Sequence, residues 1–283
     1  MASVDSFLLE HQSALMQIAF FGVVSVLLLW EAAGPRRREQ GSTALRWLNN
    51  GALTGLNVLV ARMLAPALHV SAALIVSDQG WGVLHRSGAP YWAAVAVSLV
   101  VLDLTAYAVH RAFHGVPLLW RLHRVHHADP ALDVTTGFRF HPLEDAVAGL
   151  FGIAAIAVLG PPVGAVVIRE ALVVAHASLA HANVRLWRGI DRAARLVLVT
   201  PDVHRVHHSA LARETDSNFG IVLSVWDRLF GTYCAQPSLG HEAMTIGLRE
   251  FRHRKYLLVH WMLALPLLSA TRASGSGDVP PPA

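Results

Sequence analysis

The sequence predicts an all-α fold: an integral-membrane helical bundle of about four to five spans, with a histidine-rich cap on its cytoplasmic side. Three observations carry this. Hydrophobic residues make up 54% of the 283 positions and the mean hydropathy is +0.44, above ordinary globular usage. The apolar residues form unbroken runs, and the charged 15% gathers between the runs. The histidines, 17 in all, cluster in the polar stretches that adjoin those runs.

Crossing a bilayer takes about 20 mostly apolar residues at 1.5 Å rise per residue. Ala14 to Trp30 meets this first, Gly51 to Val76 second despite Arg62 and Pro66, and Tyr91 to Val109 third. Ala146 to Ala180 is too long for one crossing and is broken by Gly160-Pro161-Pro162, so it reads as two helices joined by a turn. Tyr256 to Ala270 is short and holds Pro266, which fits an interfacial or re-entrant helix as well as a span, and the tail after Thr271 reads as disordered. Met1 to Glu10 lacks the basic start of a secretory signal, so the first run is expected to be retained.

Arg36, Arg37, Arg38 and Arg46 follow the first run, which assigns that loop to the cytoplasm. Counting spans onward brings His110 to His141, the end of the hairpin near His181, and the polar stretch Val184 to Lys255 to that same side. The basic balance, +4 with a pI near 9.8, lies beside apolar runs, which argues against nucleic acid as a partner. The lone Cys234 excludes an internal disulfide and a thiolate metal site, leaving imidazole and carboxylate as ligands.

The histidine spacing is the chemical signal. His110 and His114 stand four apart, on one helix face. His123-Arg124-Val125-His126-His127 follows, and His204-Arg205-Val206-His207-His208 repeats it letter for letter. Together with His181 these give nine imidazoles, enough for two metals at close range, and imidazole suits iron, copper, zinc or nickel. His141, His176, Asp103, Asp202 and Asn183 are possible ligands or supports of ligands. Asp103 lies two turns before His110 and is expected to bond a ligand imidazole. Asp202 and Asp129 either orient a ligand or cap a helix. Arg124 and Arg205 read as a solvated basic face, and His11, His69, His85, His241, His253 and His260 as interface or surface residues.

These residues resemble the fatty acid hydroxylase superfamily, which includes sterol desaturases and sterol methyl oxidases. The resemblance runs from about Leu102 to Tyr233 and rests on the three clusters, Arg139-Phe140-His141-Pro142-Leu143-Glu144, His181-Ala182-Asn183, Asn218-Phe219-Gly220 and Trp226 to Tyr233. It implies N-terminal membrane helices over 1–90, a catalytic domain over 91–255, and a C-terminal apolar helix and tail over 256–283. It further implies two iron ions held by the cytoplasmic cap, molecular oxygen as co-substrate, and a sterol or fatty-acyl lipid that is hydroxylated or desaturated. A separate electron-transfer protein is also implied, since no His-Pro-Gly-Gly signature of a fused cytochrome b5-like module stands at His141-Pro142-Leu143-Glu144. A zinc-dependent membrane hydrolase and a metal-ion transporter or sensor are the rival readings; no HExxH base supports the first, and ligands gathered at one interface argue against the second.

Overall fold

A computed structural model describes residues 2–38, 43–63 and 69–269. The described residues are mainly helical and form no strand beyond isolated bridges. The elements that position the site are α1 (Ala2–Glu10), α2 (Gln12–Ala33), α3 (Thr43–Met63), α4 (His69–Asp78), α5 (Tyr91–Gly115), α6 (Pro117–His127), α7 (Pro142–Leu159), α8 (Val163–His181) and α9 (Pro201–His207).

Among the described residues four helices are long and apolar enough to cross a membrane: α2, α5, α7 and α8. Their apolar side chains face outward, with Ile18, Phe21, Leu29, Leu150 and Val158 each well over half exposed. At about 25 cal/mol per Å² such exposure to water is expensive, so the medium that covers these faces is lipid. Inside the bundle α4, α5, α7 and α8 share a core of Ala73, Val76, Leu102, Ile156, Leu159, Val163 and Val166.

The turn between α7 and α8 marks the end remote from the cap. Gly160 closes α7 at φ 67°, and a Cβ there would stand 2.3 Å from the Trp81 carbonyl. Only glycine permits both the left-handed backbone and that approach. At the same end Asp5 Oδ1 accepts from the Tyr91 hydroxyl at 2.6 Å and from the Gly164 amide at 2.8 Å, tying α1 to the starts of α5 and α8.

The run from Gly51 to Val76, expected as one span, falls instead on two helices, α3 and α4; Pro66 and the rest of 64–68 lie outside the described residues. Asn50, Thr54 and Asn57, spaced i, i+4 and i+7, make a polar stripe along α3. Asn50 donates to Asp129, Thr54 to the Phe138 carbonyl and Asn57 to the Phe140 carbonyl. That stripe turns one face of α3 to the cap, where a lipid-facing span would need apolar residues.

The C-terminal stretch resolves into short turns, Arg254–Leu257, Val259–Ala264 and Leu265–Leu267, none long enough to cross. They lie over the cap, where the carbonyls of Leu265 and Leu268 accept from Arg124 Nη2, both at 2.6 Å. The tail after Thr271 lies outside the described residues.

Arg124 and Arg205 correct the expectation of a solvated basic face: both are buried, as is Arg139. Irregular backbone leaves carbonyls without partners, and a guanidinium supplies several donors at once. Arg139 donates to the carbonyls of Val125 and Tyr256 and to Asn50 Oδ1. Arg46 clasps Asp129 through Nε at 2.6 Å and Nη2 at 2.9 Å, and reaches Asp133 at 2.8 Å. Burial alone raises the Asp129 carboxyl, but the Arg46 and Arg139 guanidiniums and the Asn50 amide overcome this and hold it at about 2.

Candidate metal centre

Proline opens both helices that carry the repeated pentapeptide, Pro117 on α6 and Pro201 on α9, where its missing N–H sacrifices no bond. In each the side chains at i, i+3 and i+4 project from one side. α6 and α9 meet between the cap ends of α5 and α8, and nine buried imidazoles converge in two groups. His110, His114, His123, His127 and His207 form one; His126, His181, His204 and His208 form the other. Within each group one ligand atom from every member lies within 4.8 Å of all the others.

The facing atoms are Nε2. His123 Nε2 stands 3.1 Å from those of His110 and His127. In the second group the separations are 3.1 Å for His126 and His181, 2.8 Å for His181 and His204, and 3.2 Å for His204 and His208. With metal–nitrogen bonds of about 2.1 Å, neighbouring ligands at right angles stand ~3.0 Å apart and tetrahedral ones ~3.4 Å. The observed edges match the right-angle case.

Proton accounting supports the same conclusion. His110 Nδ1 donates to the Phe219 carbonyl at 2.8 Å, His181 Nδ1 to Ala177 at 2.7 Å and His207 Nδ1 to Ser217 at 2.7 Å. A neutral ring that spends its proton on Nδ1 presents a lone pair at Nε2. His207 Nε2 is buried with no hydrogen-bond partner among the described residues. Lone pairs brought together without a proton need a cation between them, so the donor set fits a metal.

Two carboxylates orient further rings: Glu144 Oε1 lies 2.5 Å from His123 Nδ1, and Asp216 Oδ1 lies 3.2 Å from His114 Nδ1. Burial, and then the neighbouring imidazoles, hold His126, His127, His204 and His208 well below the usual histidine range. His207 is lowered likewise, by burial and His110 against the opposing bond to Ser217. Neutral rings are the form that ligates.

All nine histidines expected as ligands are thus brought together, while the supporting candidates have other tasks. His176 Nε2 bonds the Val199 carbonyl at 2.9 Å and belongs to neither group. His141 caps α7, accepting from the Leu143 amide, and its Nε2 faces the Leu263 carbonyl. Asn183 bridges Arg37 and Arg205. Asp202 pairs with Arg36 at 3.0 Å, and His241, read as a surface residue, is buried beside it. Asp103 meets no imidazole; it accepts from the Val222 and Leu223 amides and from Trp226 Nε1. An acid within a span has more stranded backbone donors to satisfy than ring nitrogens here.

Missing from the expected set are Glu144, Asp216, Ser217 and Phe219, which anchor rings of the two clusters, and Asp227, which shapes the loop of Ser217 and Phe219. Asp227 accepts from the Phe219 amide at 2.7 Å and the Gly220 amide at 2.9 Å. Asn218 adopts φ 53° and bonds the carbonyls of Val203 and Cys234, so that the carbonyls on either side of it point at His207 and His110. The signal for Glu144 was available as an acid in the first turn of an apolar helix; backbone carbonyls carry no residue-specific signal.

Residues 95–232 match the family model described as fatty acid hydroxylase. Over 144 residues, 50% of this chain and 42% of the other, the sequence is 33% identical to the ornithine lipid hydroxylase OlsE of Rhizobium tropici. It is 27% identical over 184 residues to the alkylglycerol monooxygenase of Danio rerio, covering 64% of this chain and 39% of the other. To the fatty acid hydroxylase vlmA of Lecanicillium sp it is 30% identical over 167 residues, 51% and 43% respectively. The chain spans well under half the length of these curated relatives. No solved structure matches it. Residues 95–232, the stretch that holds all nine clustered histidines, are thus similar to the fatty acid hydroxylase family.

Proposed function

We propose that this protein is an oxygen-dependent di-iron oxidoreductase of the membrane that hydroxylates, or by a second hydrogen abstraction desaturates, a sterol or fatty-acyl lipid. The observation that carries this reading is the division of nine buried imidazoles into adjacent groups of five and four. Five ligands exceed the tetrahedral set that structural zinc takes and the three that a catalytic zinc keeps, which counts against a zinc hydrolase. Ligands gathered at one end of the spans, with none strung along them, count against a transport path. The relatives named as hydroxylases and monooxygenases favour hydroxylation.

The iron pair, when bound, supplies reductive activation of oxygen. The chain supplies the rest. His110, His114, His123, His127 and His207 would hold one ion, and His126, His181, His204 and His208 the other. The Nδ1 anchors of His110, His114, His123, His181 and His207 fix the tautomer and plane of those five rings. The near-complete burial of every ring excludes water from the reacting centre. The spans that end at the cap position an acyl or sterol body in the bilayer with its reactive carbon at that end. A separate protein delivers electrons, and Arg36, Arg37 and Arg38 after α2 favour a cytoplasmic cap.

The test is metal analysis of the purified full chain together with lipid products formed under ¹⁸O₂ and a chemical reductant. About two irons per chain and ¹⁸O in a lipid hydroxyl are expected. A zinc-only protein that yields no oxidised lipid overturns the reading.

A further inference from the structure

Beside the cap, the chain that leaves α8 forms a shallow cleft, open to the outside, lined by Trp30, Arg185, Leu186, Trp187 and Arg188. We propose that this cleft binds the phosphate of an anionic phospholipid headgroup, with Arg185 and Arg188 as the anion-binding pair and the two tryptophans as its apolar walls.

The position suits a lipid. Trp30 ends the apolar run of α2, and the next residue, Glu31, accepts from the Asn183 amide at 2.6 Å, which fixes the backbone two residues before Arg185. The cleft therefore sits where a span meets the cap, at headgroup depth. Trp187 is 80% exposed and Ile190 57%, a heavy apolar exposure for water but the ordinary one for side chains seated in the interface.

The charge points the same way. The stretch Val184 to Leu198 holds Arg185, Arg188, Arg192 and Arg195 against a single acid, Asp191, which is paired to Arg195. Among the described residues no carboxylate pairs with Arg185 or Arg188, and both are exposed. Arg46 and Arg124, by contrast, are buried, the first on Asp129 and the second on the Leu265 carbonyl. Guanidinium forks match phosphate oxygens bidentately, and the flanking indoles exclude water on the bilayer side.

The proposal stands apart from the redox reading, because it is tested by binding. Purified full-length protein and the R185Q/R188Q variant are mixed in detergent with phosphatidylglycerol or phosphatidylcholine, and retained lipid is counted by native mass spectrometry; iron content is measured in parallel. The intact chain is expected to retain phosphatidylglycerol over phosphatidylcholine by about tenfold, and the double variant to lose that preference at unchanged iron content. A W187A variant is expected to weaken retention of both lipids. Equal retention of the two lipids by the intact chain overturns the proposal. So does an unchanged preference in the double variant, or displacement of phosphatidylglycerol by millimolar inorganic phosphate, which would mark a free-anion site.

Discussion

His126 and His207 hold the same place in two copies of one pentapeptide, and each belongs to the ligand group in which the other copy places its flanking histidines. His123 and His127 join His207, while His204 and His208 join His126. The exchange brings the His126 ring to 4.6 Å from that of His208, and the His127 ring to 4.6 Å from that of His207. A side chain at i+3 leans aside from the line joining i and i+4, so two facing helices can each lend their middle histidine to the partner's group.

This exchange sets apart two substitutions that look alike in sequence. H126A leaves three imidazoles in its group and is expected to lose about one metal per chain. H207A leaves four of five and is expected to keep most of its metal, while both lose activity by about 100-fold or more. Metal content by plasma mass spectrometry checks this; equal metal loss in the two variants would contradict the division into five and four.

In the proposed metal centre Glu144 acts through His123, whose Nδ1 faces its Oε1. E144Q keeps the shape but can turn an amide N–H toward His123 Nδ1 in place of the carboxyl oxygen that holds the ring, so metal affinity is expected to fall about 10- to 100-fold with helicity unchanged. D216N, on a more exposed carboxylate 3.2 Å from His114, is expected to have a smaller effect. Competition with a calibrated chelator, read beside circular dichroism, separates the two.

The buried imidazoles make the metal-free protein acid-sensitive. His126, His127, His204, His207 and His208 titrate well below 6.5 when folded, whereas in the unfolded chain they take up protons near 6.5. Their stabilising contribution is fully present above 6.5 and is lost as pH falls toward the folded values. The thermal midpoint of chelator-treated protein is expected to stay level from pH 8 to 7 and to drop steeply below 6.5. A level midpoint down to pH 5 would show that the rings are not buried as a neutral cluster.

Asp129 has the opposite window. Its folded carboxyl at about 2 lies below the unfolded value near 3.8, so its contribution persists above 3.8 and is lost only as pH falls toward 2. D129N leaves Arg46 and Arg139 buried without that charge and is expected to cost about 3 to 5 kcal/mol. The penalty should be constant from pH 5 to 8, which denaturation in mild detergent at several pH values can check.

How much of this was legible beforehand follows from the range of each signal. Apolar run length marks a span because the bilayer has a fixed thickness, so α2, α5, α7 and α8 stand where the runs of Ala14, Tyr91 and Ala146 placed them. The run from Gly51 misled because its polar stripe, Asn50, Thr54 and Asn57, makes sense only once Asp129, Phe138 and Phe140 are known to lie opposite it.

The sequence by itself marked eight of the nine imidazoles, because i, i+3 and i+4 spacing on a helix is a local rule that holds wherever the helix goes, and the ninth, His181, by its place at the end of an apolar run. Tertiary structure alone decided how the nine divide, which carbonyls and carboxylates hold them, and that Asp103, His141 and His176 serve the backbone. Those outcomes depend on which donors are left stranded when distant segments pack, and an unsatisfied buried N–H or C=O leaves no mark in the order of the residues.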